Sequence, residues 1–219
     1  MNFFDTIITF LQDGGSFIYP IALVLVIGLA ITIERWFYLT TVLSANKKAM
    51  KLIQPHLKSG DIQEIIKITK TNTSSVADVL NSGVSRFTDT KRREDIENAM
   101  EDALMEHMLR LEKRTPFLAT LANIATLLGL LGTIMGLIAA FSAVATADPA
   151  DKANLLSSSI SVAMNTTAFG LITAIPLILF HSSLQTKTMN IVDSLEMVGR
   201  KLLNSVSYNQ VQASESDRG

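Results

Sequence analysis

Three stretches of this 219-residue chain carry no Asp, Glu, Lys or Arg: Phe17 to Ile33, Thr115 to Ala147, and Ala153 to Thr186. A helix needs about 20 mainly apolar residues to cross roughly 30 Å of hydrocarbon. The second and third runs exceed that, and at about 1.5 Å per residue each measures close to 50 Å as a helix, so each projects beyond the bilayer. The first run is shorter. Gly14-Gly15 precedes it and Glu34-Arg35-Trp36 closes it. A cleaved leader does not fit this run, because no basic residue precedes it and no small-residue site follows it. The expected fold class is therefore an all-α integral membrane protein with three transmembrane helices and a helical cytoplasmic domain.

Basic residues orient the spans. Of 19 Lys and Arg, none lies in residues 1–33, 14 lie between Glu34 and Pro116, one is Lys152, and four follow His181. The positive-inside rule puts the N-terminus and the Lys152 loop outside, and the large middle segment and the tail inside. The reading along the chain is 1–15 as an outer amphipathic helix, 16–34 as the first span and 35–115 as the cytoplasmic domain. The second span is 116–147, an outer loop follows over 148–154, the third span is 155–184, and 185–219 form an inner helix and tail. In the first of these segments Phe3, Phe4, Ile7, Ile8 and Leu11 share one face, suited to a membrane surface. Within 35–115, helices are expected over Leu39 to Lys58, from an Asp61/Glu64 capping box to Ile68, over Val76 to Phe87, and over Lys91 to Arg114. The last has an apolar stripe of Ile96, Met100, Leu104, Met108 and Leu111, suited to packing within the chain or against a neighbour. From Ser205 onward the sequence is polar and without period, which reads as disorder.

The membrane segments carry small and polar residues at particular places. In "LLGLLGTIMGLIAAF", Gly132 and Gly136 form a GxxxG pair with Gly129 one turn earlier, a spacing that lets helix backbones approach closely. The third run contains "AMNTTAFGLITAIP", with Gly170 and Pro176 and the polar cluster Asn165, Thr166, Thr167. Pro176 cannot donate to the carbonyl one turn back and invites a bend. A single Thr in a membrane helix is satisfied by bonding back to a carbonyl one turn earlier. An amide has too many donors and acceptors for that, so Asn165 and part of the cluster are expected to face protein or water. His181 reads as an interfacial residue. Glu34 and Arg35 read as a gate at the inner face or, more simply, as an anchor at the membrane boundary.

What the two long runs lack is informative. Hydroxyls and amides can line a wet path or coordinate a cation, but they do not exchange a proton near neutral pH. The usual intramembrane carrier is a carboxylate, and neither long run has one. If the chain moves ions, the titrating group belongs to another polypeptide. No metal-ligand spacing, Ser-His-Asp arrangement or phosphate loop supports an enzyme. Basic residues interleaved with acids do not support nucleic-acid binding. With no cysteine, thiol chemistry is excluded.

The two quoted motifs, the three-span layout and the Glu34-Arg35 pair resemble the ExbB/TolQ/MotA family of ion-driven membrane motor subunits, most closely its ExbB/TolQ branch. The resemblance implies a homopentamer in lipid around two copies of an ExbD/TolR-like partner with one span and an intramembrane Asp. It places Thr133 and Thr167 along the ion path, and it implies the inner membrane of a bacterium. The cargo is H+ or Na+, with no resident cofactor, and ion flow is coupled to rotation and mechanical work in the envelope. The chain departs from the family pattern twice. Val162 stands where relatives carry a glutamate, and Thr166 stands where proton-driven relatives carry Ala. A second hydroxyl beside Thr167 could make a transient sodium site of Thr133, Thr166 and Thr167. The rival reading is a membrane scaffold that conducts no ions.

Overall fold

The computed structural model describes residues 15–90 and 92–216, with side chains as far as Val206. The expected amphipathic helix at Asn2 to Gln12 lies outside them. Six helices carry the described chain: α1 Ile18–Ser59, α2 Ile62–Thr71, α3 Ser75–Asp89, α4 Arg93–Glu112, α5 Thr115–Thr146 and α6 Lys152–Ser216. No strand occurs among the described residues. Three stretches of helix are long and apolar enough to cross a membrane, within Ile18–Ser59, Arg93–Thr146 and Lys152–Val206.

The residues fall into two compact units. One joins the chain up to Arg35 with Arg114–Ser183, and the other joins Trp36–Lys113 with the chain from Leu184 onward. No element break marks the change of unit at Arg35 or at Ser183, because α1 and α6 run through both. The third change coincides with a real break. Pro116 has no N–H to give the Glu112 carbonyl, and its ring crowds that carbonyl. So α4 stops at Glu112, and Arg114 turns through a left-handed φ of 67° before α5 begins.

The first unit is the apolar one. Its α5 buries Leu118, Ala122, Ala125, Gly129 and Gly132, alternating steps of four and three residues, which is the seam spacing of packed helices. On α6, Ala163, Thr166, Gly170, Thr173 and Leu177 are buried at the same alternation. The contacts between the two stripes run antiparallel. Gly170 lies against Ala125 and Gly129, Gly132 against Thr166, and Gly136 against Ala163. Meanwhile α1 runs parallel to α6, with Gly15 beside Val162 and Gly28 beside Leu177. Large side chains such as Leu127, Leu130, Ile134, Phe141, Ile172 and Leu179 point outward, as lipid or neighbouring helices require.

The second unit packs α3 on α2 and α4, together with its parts of α1 and α6. Ile65, Val79, Leu80, Val84, Ile96 and Met100 are buried there. In α4 the expected stripe is buried at Ile96, Met100 and Leu111, while Leu104 and Met108 are half-buried. From α6, Leu184, Thr188, Ile191, Leu195, Val198, Leu202 and Val206 enter this core in steps of mostly three and four. Asp61 caps α2 by accepting from the Glu64 N–H, and Ser74 caps α3 by accepting from Ala77. The buried Asn46 Oδ1 takes the Val76 N–H at 3.3 Å, tying α1 to the start of α3. Lys187 lies over the Trp36 ring, 3.1 Å from its centre.

The structure corrects one expectation. Helix α6 continues to Ser216, through most of the tail read as disordered from Ser205. Propagation adds one backbone bond for each residue ordered, and no proline interrupts the chain after Pro176.

Candidate functional site

The Thr-Thr pair of α6 stands where α5 offers only glycines. A Cβ at Gly129 would lie 3.2 Å from the Thr167 Cα, and one at Gly132 would lie 2.3 Å from Thr166 Cγ2. Because Gly129 and Gly132 lack side chains, α5 and α6 meet nearly backbone to backbone. This close approach places both threonines in the seam or beside it.

The two hydroxyls have different fates. Thr167 Oγ1 donates across to the Gly129 carbonyl at 2.8 Å, a clasp between helices. Thr166 Oγ1 donates back to its own helix, to the Val162 carbonyl at 3.0 Å, and the residue is only 2% exposed. Adjacent positions on a helix point about 100° apart, so one hydroxyl can cross the seam only if its neighbour does not. Thr133, one turn beyond Gly129 on α5, donates to the Leu130 carbonyl at 2.6 Å and stays half-exposed. Its second lone pair remains open to whatever passes. Asn165 is half-exposed.

Gly170 takes part in the tightest contact of the hairpin. A Cβ there would sit 2.7 Å from the Ala125 carbonyl oxygen. Beyond it Thr173 is fully buried and its hydroxyl has no partner, although Pro176 leaves a carbonyl free on the same turn. Val162 turns a methyl toward Gly15, whose φ of +69° makes the turn that leads into α1. His181 is half-exposed.

Glu34 and Arg35 separate, as neighbours on a helix must. Glu34 Oε2 accepts a hydrogen bond from Arg114 Nη1 at 2.6 Å, while Arg35 turns inward and is 3% exposed. Reading from sequence missed Arg114, which lies 80 residues from its partner and at the break that Pro116 imposes. The signal available for it was the Lys113-Arg114-Thr115-Pro116 run at the very start of an uncharged segment.

No Asp, Glu, Lys or Arg lies in the two long uncharged runs, whose one imidazole is His181, and no group of three or more His, Asp or Glu that could hold a metal occurs among the described residues. The arrangement is a tightly packed hairpin carrying hydroxyls, in a chain whose three long apolar helices make it a multi-pass helical membrane protein.

Comparison with known proteins agrees with that class. Residues 71–197 match the model of the MotA/TolQ/ExbB proton channel family, and the chain belongs to this family. It is also similar to a biopolymer transport protein ExbB homolog of Methanothermobacter thermautotrophicus. The two are 25% identical over 206 residues, covering 93% of this chain and 71% of that protein.

Proposed function

We propose that the chain is the oligomeric, ion-conducting subunit of an envelope motor. Five copies surround two copies of a single-span partner of the ExbD/TolR kind, whose aspartate carries the ion past Thr133 and Thr167. The observation that carries this reading is a mismatch. A proton-channel family member carries hydroxyls in its two long spans, yet those spans hold no carboxylate, and their one imidazole, His181, lies fourteen residues beyond Thr167 toward the end of the third span. A carboxylate from a second polypeptide completes the device. Ion passage would turn the ring about the partner and deliver work to the envelope. Glu34 and Arg114 would sit at the inner face of the membrane, and the N-terminus outside.

The geometry favours protons over sodium. Sodium would need several oxygens to replace its water. Thr166, the residue that would add such an oxygen, is buried in the seam and bonded to Val162. A proton carried on a partner carboxylate needs only a polar wall.

One observation favours the scaffold reading. All three hydroxyls, Thr133, Thr166 and Thr167, donate to carbonyls within the chain, as a merely structural role would have it. The two readings part in one experiment. The full chain is purified from membranes with whatever accompanies it, its intact mass is measured, and proton flux is followed after reconstitution. Five copies with two acidic single-span partners, and flux abolished by Thr133→Val without loss of assembly, are expected. A complex without such a partner, or flux untouched by Thr133→Val, would sink the motor reading.

A further inference from the structure

Two outer faces of the second unit each carry charge of a single sign. Between Trp36 and Ser59, helix α1 has the lysines Lys47, Lys48, Lys51 and Lys58 and no Asp or Glu. All four are exposed. At about 100° per residue they fall within about 100° of arc, on the side away from the buried Leu39, Ala49, Ile53 and Leu57. On α4, the side away from the buried Ile96, Met100 and Leu111 holds the exposed Glu94, Glu101, Asp102 and Glu112. These too fall within about 100° of arc, with no basic residue among them. The same arc carries Met105 and Leu109, which are 55% and 65% exposed. Among the described residues none of these lysines or acids forms an ion pair, so the two faces do not neutralise one another within one chain.

The two faces also match in height. The short connection after Ser59 and the Asn46–Val76 bond require α2 to bring the chain back along α1, so α1 and α3 run parallel. Helices α3 and α4 run antiparallel, with Asp78 Oδ2 2.9 Å from His107 Nε2 and Gly83 against Met100. Stepping along the helices from these contacts puts Lys51 level with about positions 102–104 of α4, and Lys58 with about 95–97. Lys51 thus stands at the height of Asp102, and Lys58 near that of Glu94. Lys47 and Lys48 come level with about positions 105–108, where their methylene stems can cover Met105 and Leu109. A face built only for water would not need two apolar residues one turn apart at its centre. Copies arranged around the membrane normal share heights, so opposite charges at one height can meet between neighbours.

We propose that the lysine face of α1 in one copy docks against the acidic face of α4 in the next, a head-to-tail contact between two different surfaces that repeats around a ring. This inference rests on the oligomeric reading above and assigns to it a contact outside the apolar segments that holds neighbouring copies in register.

The chain contains no cysteine, so introduced cysteines report without background. Two differently tagged full chains are produced together with their native neighbours, one with Lys51→Cys and the other with Asp102→Cys. Membranes are treated with a short bis-maleimide, since the side chains replaced are longer than a disulfide. A conjugate joining the two tags is expected, several-fold above that of either variant produced alone. Lys58→Glu in both chains is expected to lower this yield several-fold, and adding Glu94→Lys to restore it, which a merely local disturbance of α1 would not allow. One chain bearing both cysteines is expected to conjugate into a ladder of copies. Conjugation only within that chain overturns the proposal. So does conjugation of Asp102→Cys to a different polypeptide in place of its copy, which would assign the acidic face to that polypeptide. A complex of several copies by intact mass, without the Lys51→Cys to Asp102→Cys conjugate, overturns the docking and leaves the oligomeric reading intact. A chain that purifies as a monomer overturns both. A conjugated ring that carries no proton flux would remove the channel reading and leave the docking standing.

Discussion

Gly170→Ala tests the seam on which the site depends. The new Cβ would meet the Ala125 carbonyl oxygen at 2.7 Å and the Gly129 Cα at 3.1 Å, both backbone atoms that no rotamer change can move. Ordinary contact begins near 3.4 Å, so α5 and α6 must part by about 0.7 Å. The Thr167–Gly129 hydrogen bond, 2.8 Å long, would then stretch to the edge of usefulness. Overpacking of this kind costs about 1–3 kcal/mol, and loss of an interhelical hydrogen bond in a membrane about 0.6–1.7 kcal/mol. Better helix propensity returns about 1 kcal/mol. The net expectation is a destabilisation of about 1–3 kcal/mol, together with impaired ion flux. Reversible unfolding in mixed micelles, followed by helical circular dichroism, would measure it. Gly199→Ala is the internal control, because its Cβ would meet only the Met100 side chain, at 3.7 Å from Sδ and 3.9 Å from Cε. With room available, the propensity gain of about 1 kcal/mol should appear as added stability. If Gly170→Ala proved as stable as the parent, the close backbone approach argued here would be wrong.

Thr167→Val keeps the shape of the side chain but removes the bond to Gly129, and should cost about 0.6–1.7 kcal/mol in the same unfolding assay, with Thr167→Ser recovering most of it. Arg114→Gly should leave stability within about 1 kcal/mol of the parent. It relieves a left-handed residue while giving up an ion pair whose members are about half exposed, whereas Arg114→Val keeps the strain and should be clearly destabilising. Leu80→Ala empties a fully buried position in the second unit and should cost about 2–5 kcal/mol, read from the thermal transition of that helical core. Ser74→Ala removes the cap from α3 in a buried setting and should cost about 1–2 kcal/mol by the same measurement.

Much of the architecture was open to reading in the chain itself. Uncharged length announces the three apolar segments, because lipid imposes a single requirement that holds all along a span. The Asp61/Glu64 box and the polar turn before Val76 announce α2 and α3, since capping is local chemistry. The 4-3 spacing of Leu118, Ala122, Ala125, Gly129 and Gly132 is as legible in the sequence as the GxxxG pair that overlaps it. The end of α4 at Glu112, rather than Arg114, follows from Pro116 and could have been deduced. The reach of α6 to Ser216 could not, because polar composition argues against a core and is silent about whether an existing helix continues.

The site divides in the same way. Residue types alone led to the expectation that a hydroxyl-rich span without a carboxylate, if it moves protons, takes its titrating group from outside the chain. They also determined that glycines at Gly129, Gly132 and Gly170 permit close packing, since a missing Cβ is a local fact. Which hydroxyl crosses the seam was decided by tertiary structure. Thr166 and Thr167 are chemically identical, and only the rotation of α6 against the Gly129–Gly132 face sends one to Gly129 and buries the other against its own helix. The partner of Glu34 was decided the same way, because an ion pair spanning 80 residues is set by how α1 and the start of α5 come together and leaves no mark in local sequence. Lipid compatibility acts on each segment by itself, whereas pairing and burial are properties of segments placed against one another.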